Sequence, residues 1–200
     1  MLGILLVGLV TLNFTWIPAA ALALLVTEVP SILRRDLRLV LPAELNFLIV
    51  LTLFLHVIGG FSGFYDTVIW WDHVTHAMSA SLVAALGFIV VVAIDKYTDK
   101  IDFPRHFVAF FIIMFTMAVG VIWEVSEFAM DGLLGSRMQY GPSPDDTMID
   151  LLFDGFGGFI VALLGAHYLK EASPEHFMES LNVDEAGKRL KEIAKKIPGK

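Results

Sequence analysis

Hydrophobic positions along this chain fall into long, nearly unbroken runs, and polar positions collect in the short segments between them. Leu2 to Val26 is apolar except for Thr11, Asn13, Thr15 and Pro18. Further runs cover 44–60, 70–94, 105–131 and 148–169, separated by loops carrying Gly, Pro or charge. A helix needs ~20 apolar residues to cross the hydrocarbon core of a bilayer, and these runs have about that length. The pattern predicts an all-α, polytopic integral membrane bundle with five transmembrane helices in residues 1–169 and a tail in 170–200. Pro18 predicts a kink or tilt in the first span. A secretory signal is the competing expectation there, because Ala19 and Ala21 form an A-x-A site. No Lys or Arg precedes the run, however, and the run continues past that site, which favours a span. No repeat of 20–50 residues and no low-complexity segment is present.

Composition agrees: 56% of the residues are hydrophobic and 18% charged, outside the range of ordinary soluble domains. A soluble or nucleic-acid-binding role is excluded on that ground, and membrane lipids are the expected surroundings. The absence of cysteine excludes disulfides, thiolate nucleophiles and Cys-ligated zinc or iron–sulfur centres. The distribution of charge is more informative than its net value of −7. Arg34, Arg35 and Arg38 lie between runs one and two, Lys96, Lys100 and Arg105 between three and four, and Lys170 with six further basic residues at the end. Thirteen of the 14 basic residues thus fall on one side of a five-span bundle, leaving only Arg137 opposite. Because Lys and Arg near span ends are retained in the cytoplasm, the N-terminus is expected outside and the C-terminus in the cytoplasm of a multi-pass inner (cell) membrane protein.

The outward ends of runs three, four and five carry the chemistry. Glu124, Glu127 and Asp131 stand at i, i+3 and i+7, so a helix carries all three on one face. Asp146, Asp150 and Asp154 stand at i, i+4 and i+8 on the next run, beyond a Gly- and Pro-containing turn. Asp72, His73 and His76 open run three. Beneath these groups run small residues, Ala77, Ala80, Ala84 and Gly87 in run three, Gly120 in run four, and Gly158, Ala162 and Ala166 in run five. Such seams let membrane helices approach closely. His56, near the outward end of run two, is a further candidate. Carboxylates at helix ends can also be simply solvated, and a helix N-terminus favours Asp145 and Asp146 through its dipole. Glu124 and Asp154 lie deeper, where an ionisable group is expensive and points to function. His106, His167 and His176 fall at the opposite end. Trp70, Trp71, Trp123, Tyr65 and Tyr140 fit an interfacial aromatic belt.

The spacing Asp72-x-x-x-His76, Glu124-x-x-Glu127 and Asp146-Thr147-x-x-Asp150-x-x-x-Asp154-x-x-Gly157 resembles the signature of the YjdF-like family of small inner-membrane proteins, and more distantly that of VanZ-like proteins. Asp72, His76, Glu124, Asp150 and Gly157 match both patterns. Glu127 stands where VanZ-like proteins more often have Gln, and Asp154 where they have Asn. Arg137 matches the VanZ-like Arg in type but lies farther from the Asp pair. The likeness covers residues 45–169. It supports the site without supplying a reaction, and the VanZ-like link implies an envelope or lipid-related role by analogy.

Two function classes follow. In the first, His73, His76, Asp72, Asp150 and Asp154 ligate a divalent metal, zinc, manganese or iron, with Glu124 and Glu127 catalytic and Arg137, Asp146 and His56 accessory, hydrolysing a lipid or envelope phosphate or ester. In the second, the same carboxylates serve a proton- or cation-coupled carrier or a non-catalytic envelope accessory protein. At the chain's end, Ser173-Pro174 predicts a helix start. Ala186, Leu190, Ile193, Ala194 and Ile197 share one helical face, surrounded by Lys188, Arg189, Lys191, Lys195 and Lys196. These positions predict a basic amphipathic helix on the inner leaflet.

Overall fold

The computed structural model describes residues 1–12, 16–97, 103–134, 139, 144–171 and 173–196, and these are helical with short connections. In chain order they form α1 (Leu2–Thr11), α2 (Trp16–Ile32), a π-helical turn (Leu33–Leu37), α3 (Ala43–Ser62), α4 (Phe64–Thr67), α5 (Trp71–Tyr97), α6 (Arg105–Leu134), α7 (Pro144–Glu171), α8 (Pro174–Ser180) and α9 (Val183–Lys196). Four of them, α3, α5, α6 and α7, are long and apolar enough to cross a membrane. The chain divides into two compact units, one of Met1–Val57 with Ala172–Lys200 and one of Ile58–Glu171.

In the first unit the helix expected over 2–26 is instead two helices. α1 stops at Leu12, whose backbone turns left-handed at φ 53°. Ala20 and Ala23 of α2, with Val57 of α3, form a small core against which Met1, Ile4, Leu5 and Leu53 pack. In one continuous helix Leu5 and Ala20 would lie about 22 Å apart, so α1 must fold back along α2. α2 continues to Ile32 through Pro30, which removes one rung of the backbone ladder, and the chain widens into the π turn. Arg38 ends that turn at φ 59°, with the Leu39 N–H bonded to the Leu33 carbonyl at 3.2 Å.

α8 and α9 belong to the same unit. Ser173 caps α8 by accepting the His176 N–H at 3.3 Å, ahead of Pro174 in the first turn. Leu181 accepts the Val40 N–H at 2.9 Å, and the Asn182 side-chain amide donates to the Arg38 carbonyl at 2.9 Å. Arg38 also pairs with Glu185 at 3.0 Å. Phe177, Met178, Leu181 and Ala186 are buried beneath these contacts.

The second unit is a three-helix bundle in which α5 and α7 pair most closely and α6 lies against both. Glycine sets these approaches. A Cβ on Gly157 would stand 2.5 Å from the Ala77 carbonyl oxygen and 3.1 Å from the Ala80 Cβ, so α7 meets the α5 backbone directly. Gly158 faces Thr116 of α6, Gly87 faces Phe115, and Gly165 faces Phe88. Ala80, Ala84, Gly87, Gly158 and Ala162 of the predicted seams are buried, whereas Ala166 is half-buried and its neighbour Gly165 makes the contact. Side chains on the outer faces, such as Ile122, Val125, Phe128, Leu152 and Leu163, remain exposed, as a lipid-facing surface requires.

Candidate functional site

The N-terminal turns of α5 and α7 and the last third of α6 meet at one end of this bundle, which brings Asp72, His73, His76, Glu124, Glu127, Asp150 and Asp154 together. Glu124, Glu127, Asp150, Asp154 and His76 are all buried. His73 Nδ1 lies 3.0 Å from Asp150 Oδ1, and one turn deeper His76 Nδ1 lies 3.2 Å from Asp154 Oδ1. The i, i+3 spacing on α5 therefore meets the i, i+4 spacing on α7 as two parallel imidazole–carboxylate pairs. Phe153 stacks on His73 at 5.0 Å between centroids, which fixes the outer imidazole. Gly120 makes room for the inner pair, since a Cβ there would collide with Asp154 Oδ2.

The other face of His76 differs. Its Nε2 stands 3.7 Å from Asp72 Oδ1 and 3.8 Å from Glu124 Oε1, both beyond hydrogen-bond reach. Glu124 Oε1 is buried and has no hydrogen-bond partner among the described residues. Thr147 hydrogen-bonds the Glu124 carboxylate, and the Trp123 side chain hydrogen-bonds Glu127. Among the described residues, two groups of three place their ligand atoms within 4.8 Å of one another: Asp72, His76 and Asp150, and His76, Glu124 and Glu127. His76 belongs to both. Five carboxylates with two imidazoles, mostly buried, hold more negative charge than the imidazoles can balance, and a cation or protons must supply the difference.

Not every predicted residue joins this set. Asp146 is half-buried on α7 within electrostatic reach of Asp72. Asp131 closes the end of α6 instead, its Oδ2 accepting the Gln139 N–H at 3.0 Å. His56 belongs to the first unit, half-buried on α3. Arg137 and Tyr140 lie outside the described residues. His167 is exposed beside Glu171 at 3.5 Å. Trp71, expected in the aromatic belt, packs in the space that Gly59 leaves and edge-on to Phe64 at 4.7 Å. Of the supporting groups, Trp123 was expected in the aromatic belt and Thr147 stands inside the acidic motif, whereas Phe153 carries no sequence signal of its own.

The comparisons with known proteins agree with a membrane role. An uncharacterized protein of Thermotoga maritima is 29% identical over 124 residues, 61% of this chain and 62% of that protein. The chain thus spans about 62% of the length of the curated relative it matches. No solved structure matches the chain. A family model described as "Predicted membrane protein (DUF2238)" matches residues 1–171, and the YjdF-like motif fits that family. With most of its length matched and with membrane-length helices, the chain belongs to the DUF2238 family of membrane proteins.

Proposed function

We propose that this integral membrane protein binds one divalent metal ion at His76 Nε2 with Glu124, Glu127 and Asp72. The observation that carries this reading is the buried Glu124 Oε1, lacking a hydrogen-bond partner among the described residues and facing an Nε2 that is also beyond hydrogen-bond range of its neighbours. Nitrogen and oxygen ligands of one ion, with bonds of about 2.0–2.2 Å, stand roughly 3–4 Å apart, which fits the 3.7 and 3.8 Å separations. Both groups of three need His76, and its Nδ1 is taken by Asp154. The two groups therefore converge on one ion rather than two. One nitrogen with several carboxylates suits zinc, manganese or iron.

Such an ion, when bound, polarises a phosphoryl or carbonyl oxygen and makes water acidic. The chain's own part would be to hold the imidazole through Asp154, to set Glu124 through Thr147, and to offer the Glu127 carboxylate beside Glu124 as a ligand. A membrane-embedded hydrolase of a lipid or envelope phosphate or ester fits this set, and the VanZ-like analogy points the same way. The outward orientation expected from the basic residues places the site at the outer surface of the inner membrane. A second reading, a proton- or cation-coupled carrier, draws on the two stacked pairs His73–Asp150 and His76–Asp154, which step inward by one turn.

Elemental analysis of the detergent-solubilised protein separates them. Wild type and His167→Ala are expected to retain about one ion per chain, by the single ligand set argued above. His76→Ala and the isosteric Glu124→Gln are expected to lose it. A folded wild type without metal that carries out proton-dependent transport in liposomes overturns the metal reading and favours the carrier.

A further inference from the structure

An unoccupied apolar stripe continues from a docked one at the other end of the chain. Ala186, Leu190 and Ile193 stand at i, i+4 and i+7 on α9 and so share one helical face. Ala186 is buried at 4% exposure, whereas Leu190 and Ile193 remain 52% and 43% exposed. The stripe thus starts under cover and runs out uncovered. Its anchor is the segment 33–40, through the Val40–Leu181, Asn182–Arg38 and Arg38–Glu185 contacts. That segment joins α2 to α3, and α3 is of membrane-crossing length and composition. Nearby Ile32 and Val40 are likewise exposed, at 44% and 41%.

The charge around this surface is opposite to that of the whole protein. By sequence, Arg34, Arg35, Arg38, Lys188, Arg189, Lys191, Lys195 and Lys196 outnumber the four acids of the same two segments, Asp36, Asp184, Glu185 and Glu192. The net is positive by four in a chain whose net charge is −7. Pairing leaves a surplus: Arg35 is matched by Asp36 at 2.7 Å, Arg38 by Glu185 and Arg189 by Glu192 at 3.3 Å. Arg34 and Lys191 are exposed without an ion-pair partner among the described residues.

We propose that α9, held by the 33–40 segment, lies along an anionic lipid leaflet, with Leu190 and Ile193 inserted among acyl chains and the basic side chains at the headgroups. Three observations meet here: the uncovered continuation of a docked stripe, its attachment next to the start of a membrane-length helix, and the local positive surplus. The anchoring turn fixes α9 at headgroup depth, so insertion requires no search in solution.

The full chain contains no cysteine, so Leu190→Cys and Glu192→Cys each provide a single attachment point for an environment-sensitive fluorophore. Each labelled protein is reconstituted as one copy per nanodisc, in phosphatidylcholine alone or with phosphatidylglycerol, with and without lipids carrying an acyl-chain quencher. The probe at 190 is expected to be blue-shifted and quenched in the anionic discs, and the probe at 192 to remain aqueous. Replacing Lys188, Arg189 and Lys191 by Gln should weaken this docking by about fivefold per charge, and high salt should act the same way. An aqueous probe at 190 in anionic discs overturns the proposal. So does a blue shift that appears only with two copies per disc, which makes the occupant a second chain.

Discussion

Asp154 is the residue whose replacement distinguishes an orienting group from a ligand. Its Oδ1 holds His76 Nδ1 at 3.2 Å, so the imidazole presents Nε2 to Asp72 and Glu124. Carboxylates in this position fix the tautomer and ring orientation of a metal-binding histidine, and losing them lowers metal affinity by about 10- to 100-fold. Converted to free energy, that is roughly 1.4–2.7 kcal/mol. Asp154→Ala should fall in this range with the stoichiometry unchanged, and Asp154→Asn, which keeps an acceptor but not the charge, should fall between it and wild type. The structure supplies an independent route to the same effect. A Cβ at Gly120 collides with Asp154 Oδ2, so Gly120→Ala should also lower affinity although residue 120 offers no ligand atom. If both act through one hydrogen bond, the double variant should be no worse than Asp154→Ala alone, a strong departure from additivity. The assay is competition for cobalt or zinc against a chromophoric chelator in detergent, with circular dichroism confirming helix content. Unchanged affinity in Asp154→Ala refutes the orienting role, and complete loss of the ion makes Asp154 a ligand.

Three further outcomes can be checked without knowing a substrate. Gly157→Ala forces a Cβ to 2.5 Å from the Ala77 carbonyl oxygen and should destabilise the bundle by about 1–3 kcal/mol, read as earlier thermal unfolding in detergent. Gly60→Ala, with nothing within 4 Å, should be neutral or slightly stabilising, and equal effects at the two positions would remove the packing account. A cysteine at Tyr65 should react with an impermeant thiol reagent from outside intact cells and one at Ser180 should not; the reverse pattern inverts the orientation. Thr147→Val removes the hydroxyl that bonds Glu124 and should weaken metal binding less than Glu124→Gln does, as measured by the same chelator competition.

What the sequence made legible was the set of positions where a rule of spacing meets the bilayer's demand for apolar surface. Runs 44–60, 70–94, 105–131 and 148–169 correspond to α3, α5, α6 and α7 within a few residues, because their length and hydropathy leave little alternative. The seven polar residues gathered at one end of the second unit were likewise visible, since helical periodicity places them on facing stripes and glycines mark the close approaches. Two features lay beyond that reach. The polar interruptions at Thr11, Asn13 and Thr15 and the proline at 18 signalled a kink in the first run but not a fold-back: α1 ends at Leu12 in a left-handed conformation, and Ile4 and Leu5 pack on Ala20 and Ala23, a tertiary choice that hydropathy cannot encode. The division of labour among the carboxylates also depends on rotamers and on distances of a few tenths of an ångström. Spacing puts Asp150 and Asp154 on one stripe as equals, but the bundle gives Asp154 to His76 Nδ1 within Gly120's notch and leaves Glu124, one helix away, as the buried acceptor without a hydrogen-bond partner among the described residues. That asymmetry separates a carboxylate paired with an imidazole from the buried Glu124 Oε1, which stands 3.8 Å from His76 Nε2 on the ring's other edge.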